Sequence, residues 1–195
     1  MAFPPDIQIP QVSYALRPAP AFAGQRSDDG PVDIMSTICG QQATNTGAPG
    51  SQVLAAGFDA GFGVVMGTST APSTGDRVVT SVLPQQASDV ANLFLGVVQF
   101  LAQREPYANT QNRYQPGDAA PVASKGRFWV RVDPTTSNPA TMVDRGPVYL
   151  VYSGPYAGTF RGDNANSNAA LVSGARVWTG GTAASGVAEV NFNLT

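Results

Sequence analysis

The chain has 195 residues, of which 43% are hydrophobic and only 12% charged, with a formal net charge of −2. It has no histidine, one cysteine (Cys39), one lysine (Lys125) and two glutamates (Glu105 and Glu189), so the side chains that usually perform proton transfer, covalent catalysis and metal binding are almost missing. In their place stand 21 glycines and 16 prolines, spread along the whole length; turns and strands use them at intervals and long helices do not, which points away from most enzymes.

The length is that of one domain with residues to spare, and the apolar content suffices for a core. Low net charge with many apolar residues excludes a chain disordered by composition. The ten arginines and one lysine form no run, so the basic footprint of a nucleic-acid binder is absent and direct nucleic-acid contact is not expected. A single cysteine allows no internal disulfide, and Cys39 in the apolar run Thr37 to Gly40 reads as a buried small hydrophobe. No basic-then-apolar leader is present, and the longest apolar stretches fall far short of a membrane span, so no secretory signal and no membrane contact are expected.

Met1 to about Pro20 carries prolines at 4, 5, 10, 18 and 20, separated by Phe3, Ile7, Ile9, Val12, Tyr14 and Leu16. Proline fixes φ and lacks the amide donor, so this stretch is neither helix nor central strand. It reads as an extended arm (1–21) whose apolar side chains lie either on another molecule or on the chain's own β-rich domain (22–195). After Gly24, strands are predicted over Val32–Cys39, Phe62–Met66 and Val78–Leu83, with Gln41–Gly57 loop-like. Gln85–Asn92 is the one short helix expected, and Leu93–Leu101 reads as a buried strand. Gln103–Gln115 reads as a polar loop. Ala120–Ser124 and Phe128–Val132 read as a hairpin turning at Gly126. Val148–Tyr152, Thr159–Arg161, Leu171–Trp178 and Ala188–Leu194 complete an all-β pattern, a β-sandwich or barrel.

No motif carries chemistry. Gly61-Phe62-Gly63-Val64-Val65-Met66-Gly67 has glycines but no following helix to hold a phosphate, so it reads as a strand with close backbone packing. Asp163 to Asn168 lacks the alternating oxygens and closing glutamate of a calcium loop. Arg161-Gly162-Asp163 spells a receptor-attachment tripeptide, but these are also ordinary turn residues. Asp28-Asp29 before Gly30-Pro31 reads as a turn. The eleven aspartates form no pair marked by context, and zinc is excluded by the lack of histidine and of a second cysteine. Trp129, Tyr149, Tyr152, Tyr156 and Trp178 lie on or beside strands and read mainly as core, with a carbohydrate-stacking row as the other use. No catalytic residue, cofactor or metal is predicted.

An ordered set of segments resembles the structural cement, or capsid decoration, proteins of tailed bacteriophages. The segments are Phe22-Ala23-Gly24-Gln25 leading through Asp28 and Gly30 into Val32–Ile38, then Phe62–Gly67, then Leu95-Gly96-Val97-Val98. Tyr114 with Gly117-Asp118, Val122–Val130 and Gly146-Pro147-Val148-Tyr149 follow. Gly174–Trp178, Gly186–Val190 and Asn191-Phe192-Asn193 close it. The resemblance covers about residues 22–195.

It implies a small β-rich subunit without catalysis on the outer surface of the phage head, made in the host cytoplasm. Its implied partners are the major capsid protein, which it bridges noncovalently, and copies of itself, a trimer before a dimer. The arm residues Phe3, Ile7, Ile9, Val12, Tyr14 and Leu16 are the expected partner contacts. A receptor- or glycan-binding module of a fibre or adhesin is the alternative, and an enzyme using carboxylates alone is the third reading.

Overall fold

The structure is a computed structural model and describes residues 22–27, 30–40, 57–67, 79–100, 113–115, 117–135, 142–164, 167–181 and 186–194. The arm expected at 1–21 lies outside them. The described elements run β1 (Asp33–Cys39), β2 (Phe58–Asp59), β3 (Gly63–Met66), β4 (Thr80–Val82), α1 (Ala87–Leu93), β5 (Phe94–Val98), β6 (Arg113–Tyr114) and β7 (Ala119–Arg131). They continue with β8 (Pro147–Val151), β9 (Phe160–Arg161), β10 (Ala169–Thr179) and β11 (Val187–Asn193). The fold is all-β with one short helix, as expected.

The strands close into two rings that share β7. In the first, β1 pairs parallel with β4; the antiparallel ladder then runs β4 to β3, β5 and β7, and β7 pairs back onto β1. Inside it Cys39, Val64, Leu83, Leu95, Val98, Ala120 and Val122 pack together, with Phe58 and Tyr114 of the β2–β6 pair. In the second, β7 pairs with β11, β11 with β10, β10 with β8 and β8 with β9. A parallel bridge between Val132 and Phe160 brings β9 back to the end of β7. Phe128, Val130, Phe160, Val177, Val190 and Phe192 fill this larger core. Closure covers strand edges that would otherwise template association.

β7 corrects the hairpin expected at Gly126. It is one strand of 13 residues, because its two halves find partners elsewhere instead of each other: β1 pairs over 119–125 and β11 over 125–131. Gly126 sits at φ +115, in the region only glycine adopts freely, and the β1 ladder slips between Asp33 and Ile34. The irregularity shifts the alternation: before it the odd position Ala123 faces the second core while Ala120 and Val122 face the first, and after it the even positions Phe128 and Val130 face the second.

The end of the stretch predicted as a polar loop, Gln103–Gln115, is also a strand. Tyr114 on β6 is buried and its hydroxyl donates to the Gln99 carbonyl at 2.9 Å; polar flanks hid an aromatic that seals the first ring. The short helix and the buried strand after it are found where predicted, as α1 and β5. Asp89 of α1 accepts from the Gln85 and Gln86 amides at 3.0 and 3.1 Å, which satisfies donors at the helix start, while Val90 is buried in the second core.

Candidate interaction surfaces

Among the described residues, the motifs singled out in the sequence pack as structural elements. Cys39 is 1% exposed, its thiol packed 3.6 Å from the Tyr114 carbonyl, the buried hydrophobe that was expected. The glycine-rich run is strand β3. A methyl group on Gly63 would sit 2.5 Å from Leu150 Cδ1 and 2.8 Å from Phe160 Cζ, so glycine lets β3 of the first ring lie directly on the core of the second. Among the described residues no group of three His, Cys, Asp or Glu stands together to hold a metal ion. Also among them, no helix is long and apolar enough to cross a membrane.

Arg161 of the Arg161-Gly162-Asp163 run is turned inward, while the Asp163 side chain stays partly exposed. Arg161 is fully buried, with Nη1 3.3 Å from Asp133 Oδ2 and from Asn168 Oδ1, and Nη2 2.8 Å from Asp163 Oδ1. A receptor cannot reach this guanidinium, so the attachment reading of the tripeptide fails. The same contacts use up Asp163 and Asn168 of the polar loop, and Asn164 Oδ1 accepts from the Ala169 amide at 3.2 Å. Asp133 also accepts from the amide and hydroxyl of Thr135. Charge burial of this kind is tolerable only with such partners. Glu189 is likewise held by hydroxyls, from Ser27 at 2.6 Å and Thr179 at 2.8 Å.

Several large apolar side chains stay exposed among the described residues, scattered in patches. On β1, Thr37 and Cys39 point into the first core, while Ile34 and Ile38 point out with 45% and 37% of their surface exposed. Opposite Ser36 and Ile38 lie Pro121 and Ala119 of β7, so the stripe continues across two strands. Trp178, half exposed on β10, lies under the Arg127 guanidinium at 3.8 Å. Trp129 is buried beneath residues 24–27, which pair along β7: the Trp129 amide donates to the Gln25 carbonyl at 2.9 Å and the Ser27 amide to that of Arg127 at 3.0 Å. Phe22 stacks on Phe100 at 5.5 Å. The outward direction of Ile34 and Ile38 was not legible in the sequence, because Val32–Cys39 shows no clean alternation. The six expected contacts, Phe3, Ile7, Ile9, Val12, Tyr14 and Leu16, lie outside the described residues.

Comparison with known proteins then decides the class. The sequence model of the structural cement proteins (E217 gp24/Pam3 gp6) matches residues 9–193. The chain belongs to this family. It is a structural protein of the bacteriophage capsid, located in the virion. The match begins at residue 9, so it includes part of the proline-rich stretch that the segment-by-segment resemblance had left out. Among solved structures, a chain of the capsid of Myoviridae phage XM1 is similar, with a TM-score of 0.59 and 16% identity, covering 93% of this chain and 95% of that one. At that identity the likeness is one of fold. No curated protein matches.

Proposed function

We propose that this subunit decorates the outer surface of the phage head and bridges neighbouring major capsid protein subunits without covalent bonds. Membership of the cement family carries the proposal. The surface chemistry supports it. A chain with 12% charged residues that leaves Ile34 and Ile38 facing out suits broad contact with protein, since interface cores are poor in charge. Lys125 is the sole lysine, so lysine-based cross-linking has one position to use.

The mechanism is mass action. A ligand that binds the assembled lattice and not its dissociated subunits stabilises the lattice, and many weak copies on one shell add through multivalency. No catalytic step enters. The subunit associates with copies of itself, a trimer before a dimer. Because the described strands close into rings, the reason for association lies in exposed apolar side chains more than in open strand edges.

The arm residues Phe3, Ile7, Ile9, Val12, Tyr14 and Leu16 supply contacts to a neighbouring capsid or cement subunit. Burying one such side chain is worth roughly 1.5–3 kcal/mol, and prolines reduce the entropy lost on ordering. Deleting residues 2–18 tests this. The truncated subunit is expected to keep a similar melting temperature but to decorate heads poorly and leave them on heating. Decoration equal to that of the full chain, or failure to fold, would overturn the arm's role.

A further inference from the structure

The outer face of the second ring gathers arginines around an exposed tryptophan. Arg127 of β7, Asn191 of β11 and Arg176 of β10 stand in register across three strands, and Pro147 of β8 continues the row beside Arg176. Neighbouring strands lie about 4.8 Å apart, so the two arginines leave the sheet about 10 Å from each other. Trp178, two positions on from Arg176, is 46% exposed with the Arg127 guanidinium over its ring. The Arg145 amide donates to the Val177 carbonyl at 2.9 Å, which brings the exposed Arg145 beside Trp178. Among the described residues neither Arg145 nor Arg176 forms an ion pair, and Arg176 Nη1 donates to the Ala175 carbonyl at 3.1 Å. The acids nearest in sequence have other donors: Asp144 Oδ1 accepts from the Gly180 amide at 2.6 Å, and Glu189 accepts from the hydroxyls of Ser27 and Thr179. Arg145 is also held at φ +62, which glycine or asparagine adopts more readily, so the backbone gives no reason for an arginine there.

We propose that this face docks a carboxylate-bearing surface of a major capsid subunit, as a contact separate from the Ile34 and Ile38 stripe. The proposal rests on the decoration reading and adds to it a second face and its chemistry. Charge selects the occupant. The chain is net negative, yet Arg127, Arg145 and Arg176 stand together on this one face. An arginine fork suits a carboxylate, to which it can donate two parallel hydrogen bonds, and Trp and Arg are the side chains that most often anchor protein interfaces. Nucleic acid is the poorer match, because Asn191, Pro147 and Trp178 separate the cations and the sequence has no basic run. A subunit that bridges two neighbours needs two contact faces. The apolar stripe lies on the first ring and the basic face on the second, so one domain holds two contacts, of which only the basic one is screened by salt.

The test is cosedimentation of the full-length subunit with phage heads that lack it, across a range of salt. The double variant Arg145→Asn with Arg176→Gln removes two exposed charges and should keep the wild-type unfolding temperature. Its affinity for heads is expected to fall about tenfold in about 0.05 M salt. The difference from wild type should close near 1 M salt, where the screening length is about 3 Å. Ile34→Ser with Ile38→Ser should instead weaken binding at every salt concentration. If the double variant does not fold, Arg145→Asn alone, which suits the left-handed backbone, gives the same reading with a smaller loss. A folded variant that binds like wild type at low salt would overturn the proposal. So would a loss that salt leaves unchanged, or release of the bound wild-type subunit by nuclease, which would make nucleic acid the partner. In each of these results wild type still binds heads, so the decoration reading stands. Wild-type subunit that fails to bind heads at any salt would overturn that reading, and this proposal with it.

Discussion

The two rings share one strand but bury different kinds of polar group. The first closes over neutral hydroxyls: Thr37 Oγ1 donates to Ser81 Oγ at 2.8 Å and lies 3.0 Å from the Ala120 carbonyl, joining β1, β4 and β7. The second buries a guanidinium and its carboxylate partner, Arg161 and Asp133, both at most 1% exposed. A neutral hydrogen bond lost inside a protein is a small change, whereas a buried charge without its partner is a large one. The second ring is thus the fragile scaffold. The first has a forgiving interior and carries the outward stripe of Ile34 and Ile38.

The largest effect should come from the second ring. Arg161→Ala leaves Asp133 buried without its cation and should cost about 3–5 kcal/mol, read as a sharply lower denaturation midpoint or as insoluble protein. A near-wild-type midpoint would erase the contrast between the rings. Gly63→Ala comes next. Its new methyl would press on Leu150 and Phe160 where one ring lies on the other, at a cost of about 1–3 kcal/mol in the same assay.

In the first ring, Thr37→Val keeps the shape and removes the hydroxyl, while Ser81 retains the Ile38 carbonyl as a partner at 3.4 Å. The loss should be about 1 kcal/mol. A loss as large as that of Arg161→Ala would make the two interiors equivalent. The outward double substitution Ile34→Ser with Ile38→Ser should shift stability by no more than about 0.5 kcal/mol but weaken decoration in a sedimentation assay with capsids. Unchanged binding would remove this stripe from the interface. Smallest of all is the response to pH. With no histidine in the chain, the unfolding midpoint of the isolated subunit should stay flat between about pH 6 and 7.5. A steep transition there would contradict it.

These contrasts were only partly legible in the sequence. Strands with β-branched clusters between turns, such as Val148–Tyr152 and Ala188–Leu194, announce themselves through local pattern. The continuity of β7 does not, because Gly126 looks the same in a hairpin turn and in a bulge, and only the partners β1 and β11 decide between them. Tyr114 was hidden by its polar neighbours. Arg161 reads as a turn residue in sequence; its burial depends on Asp133 and Asn168, which are distant or unremarkable along the chain. The family, by contrast, was readable from the order of weak segments, each uninformative alone.

The most direct measurement is an electron cryomicroscopy reconstruction of the assembled phage head, compared with heads lacking this subunit. The account predicts ordered density for the two-ring domain on the outer surface, touching at least two neighbouring major capsid subunits, and earlier DNA release on heating when it is missing. Density confined to a tail fibre, contact with a single capsid subunit, or heads equally heat-stable without it would contradict the bridging role.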